Sequence, residues 1–396
     1  MVSHNSLSGR PEASPARFGL PGVGMTRFTG SDDRSIAELL ETAAERALDD
    51  ADVEPDAVDS VHVGNMAAEA FNNTSGLANA LTASLGLSRA SARRIENTSA
   101  TGASAVLDAV DTVRAGRAEV ALAVGGEKMS VAETSVATEI ISRITHSQEY
   151  DQGITLPSFA GLAAARYLES YDATRRDLAR VAVKNHANAR RNPYAQFESD
   201  VTVADVLDSP KVATPLRLYD CCPTTDGAAA VVVTAADADV SVTACESAVG
   251  VHAVADRADP LRIESAAAAG RAAYDAAGTD PDEIDVACIH DAFTILEWLE
   301  MEELGLAERG EAWRLTREGR TEIDGDGDLT VNPGGGLKAR GHPLGATGIS
   351  QLVELVWQLR GDVPSDRAVD SPRYGLAINV AGFGNNSVCT IVEASG

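Results

Sequence analysis

The chain has 396 residues, 44% apolar but only 4% aromatic, with 59 acidic against 33 basic side chains and a formal charge of −26. That length exceeds one ordinary core and predicts two or more packed units, with Ala, Val, Leu and Ile filling a layered α/β protein. The charge excludes nucleic acid and anionic membranes as partners, because no basic stripe offsets it.

Lysine occurs only at Lys128, Lys184, Lys211 and Lys338; the other cations are arginines. An acidic surface nearly without lysine points to a cytoplasm at molar salt, where the Debye length shrinks to about 3 Å. The five cysteines, Cys221, Cys222, Cys245, Cys288 and Cys389, form no CxxC and no zinc-ligand spacing. They read as reduced thiols of a cytosolic enzyme, with no metal expected. No apolar run reaches membrane-spanning length and the first residues lack a signal-peptide core, so a soluble cytoplasmic protein is expected.

Residues 1–20, rich in Ser, Pro, Gly and Arg, read as a loose leader. GVGMTRF follows, then SIAELLETAAERALDDADV, an amphipathic helix with Ser35 as its cap. VDSVHVGNM reads as a strand and SGLANALTASLGL as a second helical segment. The turn ENTSATGAS leads into the helix SAVLDAVDTVRAG and the apolar strand AEVALAVGG.

Residues 127–225 read as an insertion, with the helical segment FAGLAAARYLESY and the loop NPYAQFESD. It concentrates cations (Arg143, Arg166, Arg175, Arg176, Arg180, Lys184, Arg190, Arg191, Lys211 and Arg217), a natural dock for a phosphate-bearing ligand or a mixed-charge solvated face. DGAAAVVVTAA then reads as a buried strand closing the first half. IDGDGDL resembles a calcium loop, but Leu329 stands where the turn glycine belongs and Gly335 where the bidentate glutamate belongs, so an acidic surface loop is expected.

The far half repeats the near one. AAERALDDADVEPDAVDSVHVGN runs parallel to AGRAAYDAAGTDPDEIDVACIHD, pairing Pro55 with Pro281 and Asp59 with Asp285. Likewise TGASAVLDAVDTVRAG matches TGISQLVELVWQLRG, with Val110 facing Val356 and Arg114 facing Arg360. Two matches in the same order predict two copies of one α/β unit. The Ser99 turn and the His342 turn then occupy equivalent places, which pseudo-twofold packing brings to one site. The His342 turn lies in VNPGGGLKARGHPLGATGIS, glycine-dense on both sides and placed before a helix N-terminus. A histidine there can exchange protons near neutral pH.

GHPLGATG, NPGGG, HDAF, GGEKM, VKNHANARRNPYAQF and GLAINVAGFG together resemble the thiolases, from about Gly22 to the end. HDAF rather than NEAF places the resemblance nearer the sterol-carrier-protein-type and archaeal branch, its haloarchaeal catalytic subunits included. The resemblance implies a five-layered αβαβα fold of two duplicated halves: residues 21–126 with 226–245, and residues 246–396. Residues 127–225 would be a loop domain for CoA binding and oligomer contacts.

It also implies β-ketothiolase chemistry: joining acyl-CoA and acetyl-CoA into 3-ketoacyl-CoA, or the reverse thiolysis. The family nucleophile falls on Ser99, the activating histidine on His342, the group holding the enolate oxygen on His290, and the oxyanion-hole glycine on Gly382. The chain departs from the family where thiols are expected. Ser99 replaces the nucleophilic cysteine, and Val380 and Ala292 stand where a second cysteine shuttles the α-proton. A serine must lose its proton as it attacks, as in Ser–His hydrolases, and His342 or His290 must serve as the α-proton base.

The resemblance further implies no cofactor beyond coenzyme A thioesters as substrates, and a homodimer or tetramer. It also implies a small OB-fold partner and a supply of 3-ketoacyl-CoA for isoprenoid (mevalonate) or polyhydroxyalkanoate synthesis. The rival of another class is a non-catalytic acyl-CoA-binding or assembly subunit; a closer rival is a condensing enzyme using malonyl donors.

Overall fold

The computed structural model describes residues 17–395. The expected leader therefore falls mostly outside the described residues, and its last three residues belong to a strand. That strand, β1 (Phe18–Met25), opens the N-terminal half, followed by β2 (Ser60–Gly64), β3 (Ser91–Ile95), β4 (Val120–Lys128) and β5 (Asp226–Thr234). Its longest helices are α1 (Ile36–Ala51) and α2 (Thr101–Arg114), with shorter ones at Ala68–Asn72 and Leu77–Ser84. Ser35 caps α1 in a reciprocal box with Glu38, satisfying two orphan donors of the first turn.

Between β4 and β5 run α3 (Leu156–Ser170) and α4 (Arg175–Arg190). The C-terminal half carries β6 (Val240–Val249), β7 (Val286–Cys288), β8 (Thr330–Val331), β9 (Tyr374–Ala381) and β10 (Asn386–Ala394). Its longest helices are α5 (Glu264–Ala277), α6 (Thr294–Glu303) and α7 (Thr347–Arg360).

These ten strands join in one sheet in the order β8-β7-β9-β10-β6-β1-β5-β4-β2-β3. Read outward from the β1–β6 junction, the two sides repeat. β5 and β10 pair antiparallel, and the strands beyond β4 and β9 pair parallel. The halves meet through a short antiparallel contact, Phe18 with Val242 and Gly19 with Ser241. β6 pairs with β10 along its whole length, so it belongs entirely to the C-terminal half, and the boundary expected at 245/246 falls inside one strand. Likewise β4 runs through Glu127 and Lys128, the first two residues assigned to the insertion.

Alternation along the strands makes the layers. In β5, Ala228, Ala230 and Val232 face the core beneath α1, while Ala229, Val231 and Val233 face α2 and α7. In β9, Leu376, Ile378 and Val380 face the core beneath α5, and Ala377 and Ala381 face the middle. The stack is α1, half-sheet, α2 with α7, half-sheet, α5: five layers, as the resemblance implies. Burial on both faces explains why these strands read as continuous small apolar runs.

The middle layer is where duplication matters. The N-termini of α2 and α7 meet at the duplicated glycines, where a Cβ on Gly102 would lie 2.8 Å from the Gly348 nitrogen. The loops that enter these helices carry Ser99 and His342.

Candidate active site

Ser99 sits in a tight turn, Thr98–Ala100, between β3 and α2. Thr98 holds φ at 45°, a left-handed conformation unusual for a β-branched residue. The turn is pinned by Thr98 N–H donating to Glu96 Oε1 at 2.7 Å and by Asn97 N–H donating to Thr101 Oγ1 at 2.8 Å. Ser99 is thereby presented from a rigid bend, 4% exposed, at the wall of a cavity of about 230 Å³. His290, His342 and Gly382 line the same cavity, so the four residues expected from sequence come together from both halves.

His342 follows Gly341, whose φ of 118° suits only glycine and where a Cβ would lie 2.8 Å from Thr225 Cγ2. Its main-chain N–H donates to Thr225 Oγ1 at 3.0 Å. Its Nδ1 lies 2.7 Å from Thr347 Oγ1, and that hydroxyl donates its own proton to the Pro343 carbonyl at 3.0 Å. A hydroxyl with its one proton committed can only accept. With the hydroxyl turned to Pro343, Nδ1 carries the ring proton and Nε2 is left with a lone pair, the arrangement a base needs.

His290 is held the other way. Its Nδ1 receives the Val380 main-chain N–H at 3.3 Å and the Asn379 side-chain amide at 2.9 Å. The Asn379 orientation is set by its Oδ1, which accepts from Ala103 N–H at 3.3 Å. A main-chain N–H can only donate, so Nδ1 is the acceptor and Nε2 bears the proton. The two rings stand perpendicular with centroids 5.0 Å apart. Burial drives the His342 pKa down to about 3, with the Arg340 cation adding to it. Burial, with His342 alongside, holds His290 well below the ordinary histidine range. Both are neutral at pH 7, as a base and a donor require.

Gly382 turns between β9 and β10 with φ at 59°, and a Cβ there would overlap Asn385 Oδ1. Neither its N–H nor that of Ser99 meets a protein acceptor among the described residues. Two such N–H groups at one cavity can hold a developing oxyanion. The long connection from β4 to β5 occupies the place of this four-residue turn, Gly382–Asn385, in the other half.

The cavity walls are mainly apolar, including Met129, Ile141, Leu156, Phe293 and Leu344, and its mouth exposes Val212 and Leu218. Lys211 and Arg217 flank these two residues in sequence. Among the described residues Lys211 has no carboxylate within ion-pair distance, whereas most cations singled out in the insertion do. Arg175 pairs with Asp220 at 2.8 Å and the buried Lys184 with Glu297 at 2.7 Å. Much of the expected phosphate-docking charge is thus spent within the fold.

Sequence reading missed Cys221 and Cys222, which also line the cavity. Burial pushes both thiols up to about 12, so they stay protonated and do not stand in for the family thiols. It also missed Thr347, Thr225 and Asn379, which set the histidines. Only the motifs containing Thr347 and Asn379, GATG and INVAG, signalled them. A second constellation, Ser60, His62 and Asp108, joins His62 to Asp108 at 2.8 Å and to Ser60 at 3.1 Å. Ser60 and His62 are buried within β2 at 1% and 0% exposure, which gives a substrate no access.

The model of the thiolase N-terminal domain matches residues 22–237, and that of the thiolase C-terminal domain-like family matches residues 247–394. The chain belongs to the thiolase family. It is 40% identical over 378 residues to an acetyl-CoA acetyltransferase of Methanothermobacter thermautotrophicus, covering 93% of this chain and 97% of that protein. It is 32% identical over 395 residues to sterol carrier protein 2 of Bos taurus, covering 94% and 71%. Among solved structures, the Ltp2-ChsH2(DUF35) aldolase superposes with a TM-score of 0.83 at 25% identity, covering 96% of this chain and 99% of that one. No helix among the described residues is long and apolar enough to cross a membrane.

Proposed function

We propose that this thiolase, an acyltransferase acting on acyl-CoA thioesters, works through an acyl ester on Ser99 with His342 as its single base. The observation that carries this is the opposed surroundings of the two Nδ1 atoms, a threonine hydroxyl at His342 and a main-chain N–H at His290, from which we assign a lone pair to His342 Nε2 and a proton to His290 Nε2.

In the first half-reaction Ser99 Oγ attacks the thioester carbonyl while His342 Nε2 takes the hydroxyl proton. The tetrahedral oxyanion rests on the Ser99 and Gly382 N–H groups. The carbon–sulfur bond breaks, and His342 returns the proton to the departing CoA thiolate. In the second, the same Nε2 removes the α-proton of acetyl-CoA, and His290 Nε2–H donates to the enolate oxygen. The carbanion attacks the Ser99 ester; the carbon–oxygen bond breaks, and Ser99 takes its proton back from His342. Each half-reaction leaves His342 neutral, so one base serves both and the missing second thiol is not needed. Acetyl as the group transferred is supported by the name of the Methanothermobacter relative.

The test is a pair of asparagine variants. His290→Asn keeps a donor, the amide found in the NEAF form of the motif, and retains activity within about tenfold. His342→Asn removes the base and loses about 10²–10⁴-fold. The reverse ranking would overturn the assignment.

A second reading, carbon–carbon cleavage by the two histidines without an acyl-enzyme, is favoured by the aldolase superposition and by the missing thiol. It predicts that Ser99→Ala stays active, whereas the acyl-enzyme reading predicts that it does not. A small partner subunit also belongs to the proposal, supported by the pairing of Ltp2 with ChsH2(DUF35) in the superposed structure. The acidic, lysine-poor composition supports work at molar salt.

A further inference from the structure

We propose that Glu127 is a positioning residue for His342: its carboxylate clamps the Gly345 amide and holds the histidine loop of the C-terminal half in a slot on the N-terminal half. The proposal rests on the reading of His342 as the base.

The slot is cut by glycines. A Cβ on Gly345 would lie 2.6 Å from the Gly64 and Gly126 carbonyl oxygens, and a Cβ on Gly125 would overlap the Gly345 oxygen. The loop Pro343–Leu344–Gly345 therefore lies directly on the C-terminal ends of β2 and β4. Leu344 faces the catalytic cavity, and Pro343 supplies the carbonyl that fixes Thr347 and through it the His342 tautomer.

At the floor of this slot lies Glu127, the last residue but one of β4, fully buried. Its Oε1 accepts from Asn65 Nδ2 at 2.9 Å and Ala67 N–H at 3.1 Å. Its Oε2 accepts from Met66 N–H at 3.0 Å and Gly345 N–H at 3.2 Å. Among the described residues no lysine or arginine lies within ion-pair distance of it; the four donors satisfy it instead. Burial pushes its pKa up to about 7, against the pull of those N–H groups.

Only an ionised carboxylate offers acceptors on both sides. Glutamine would turn an NH₂ toward either the Asn65–Ala67 pair or the Met66–Gly345 pair, setting donor against donor. Three of the four bonds tie Glu127 to its own half; the fourth crosses to the catalytic loop. A buried carboxylate without an ion-pair partner is an expensive way to hold a β2 turn alone; the bond that crosses to Gly345 is the contact beyond that turn.

The test compares wild type, Glu127→Gln, His342→Asn and the double variant. We expect Glu127→Gln to slow turnover and acyl-enzyme formation about 10²-fold, as small misplacements of catalytic groups do, with KM for the acyl substrate within about threefold. Because the two residues act as a unit, the double variant should be no slower than His342→Asn alone. Full turnover by Glu127→Gln, or a double variant slower by the product of the two single effects, would overturn the proposal. Loss of acyl-Ser99 in wild type with turnover intact would reject the acyl-enzyme reading, while the effect of Glu127→Gln on turnover still decides the clamp. Amide exchange over residues 341–347 gives a readout independent of activity: faster at Gly345 in the variant if the clamp is real, unchanged if not. Should Glu127→Gln fail to fold, Glu127→Asp, which keeps the charge and shortens the reach by one methylene, carries the same measurements.

Discussion

Gly102 of α2 and Gly348 of α7 pack backbone against backbone: a Cβ on Gly102 would stand 2.8 Å from the Gly348 nitrogen, and one on Gly348 would overlap the nitrogen of Ala103. The two glycines are equivalent in the duplicated TGAS and TGIS segments. Their contact sets the distance between the helix N-termini that carry the Ser99 and His342 loops. The cavity at which Ser99 and His342 meet is therefore a product of the duplication, each half supplying one loop to it.

Gly348→Ala tests that relationship. The methyl group must push the helices apart, at an overpacking cost of about 1–3 kcal/mol. Urea midpoints should fall accordingly, and activity should fall further than stability, because the displacement acts on the site. Unchanged stability and activity would mean that the helices tolerate a wider spacing.

Thr347→Val removes the acceptor of His342 Nδ1–H while keeping the shape of the side chain. The buried ring N–H would then lack its partner, a cost of about 1–3 kcal/mol. The imidazole would be released from its orientation, as when the third member of a Ser–His–Asp triad is lost. We expect kcat to drop by about tenfold or more with little change in KM. A parallel rise in KM with kcat preserved would instead assign Thr347 to substrate binding.

Stability should depend on pH through His342. In the unfolded chain it binds a proton near its ordinary value of about 6.5; in the fold burial lowers that to about 3. Between these values the unfolded state holds more protons. Stability is thus complete above about pH 6.5 and falls as pH drops toward 3, by about 1.4 kcal/mol per unit for one such group. His342→Asn lacks this titration, so denaturation of the two proteins from pH 7 to 4 should show the variant gaining relative to wild type as pH falls. A constant difference would contradict a buried neutral His342.

Much of this was legible in the sequence because it rests on local patterns. Pro55 and Pro281, paired in the repeat, open equivalent short turns ahead of β2 and β7. The Ser99 and His342 turns lie before equivalent helices, α2 and α7, as the repeat requires. What sequence could not give was relative placement. The choice between His290 and His342 as base turns on Thr347, Pro343, Asn379 and Val380, whose hydrogen bonds exist only once β9, α7 and the loops are packed. Arg175 and Arg191 read as part of a docking surface because their carboxylate partners, Asp220 and Asp324, are distant in the chain. Cys221 and Cys222 were not placed at the cavity because no period or spacing marks the loop that brings them there.

The most direct measurement is the fate of Ser99 itself. Protein in molar KCl is mixed with acetyl-CoA, quenched in acid, digested and examined by mass spectrometry, alongside Ser99→Ala. The account predicts one acetyl group, on the peptide containing Ser99, formed with release of CoA and absent from the variant. Thiolase activity in wild type with Ser99 unmodified, or equal activity in Ser99→Ala, would contradict it.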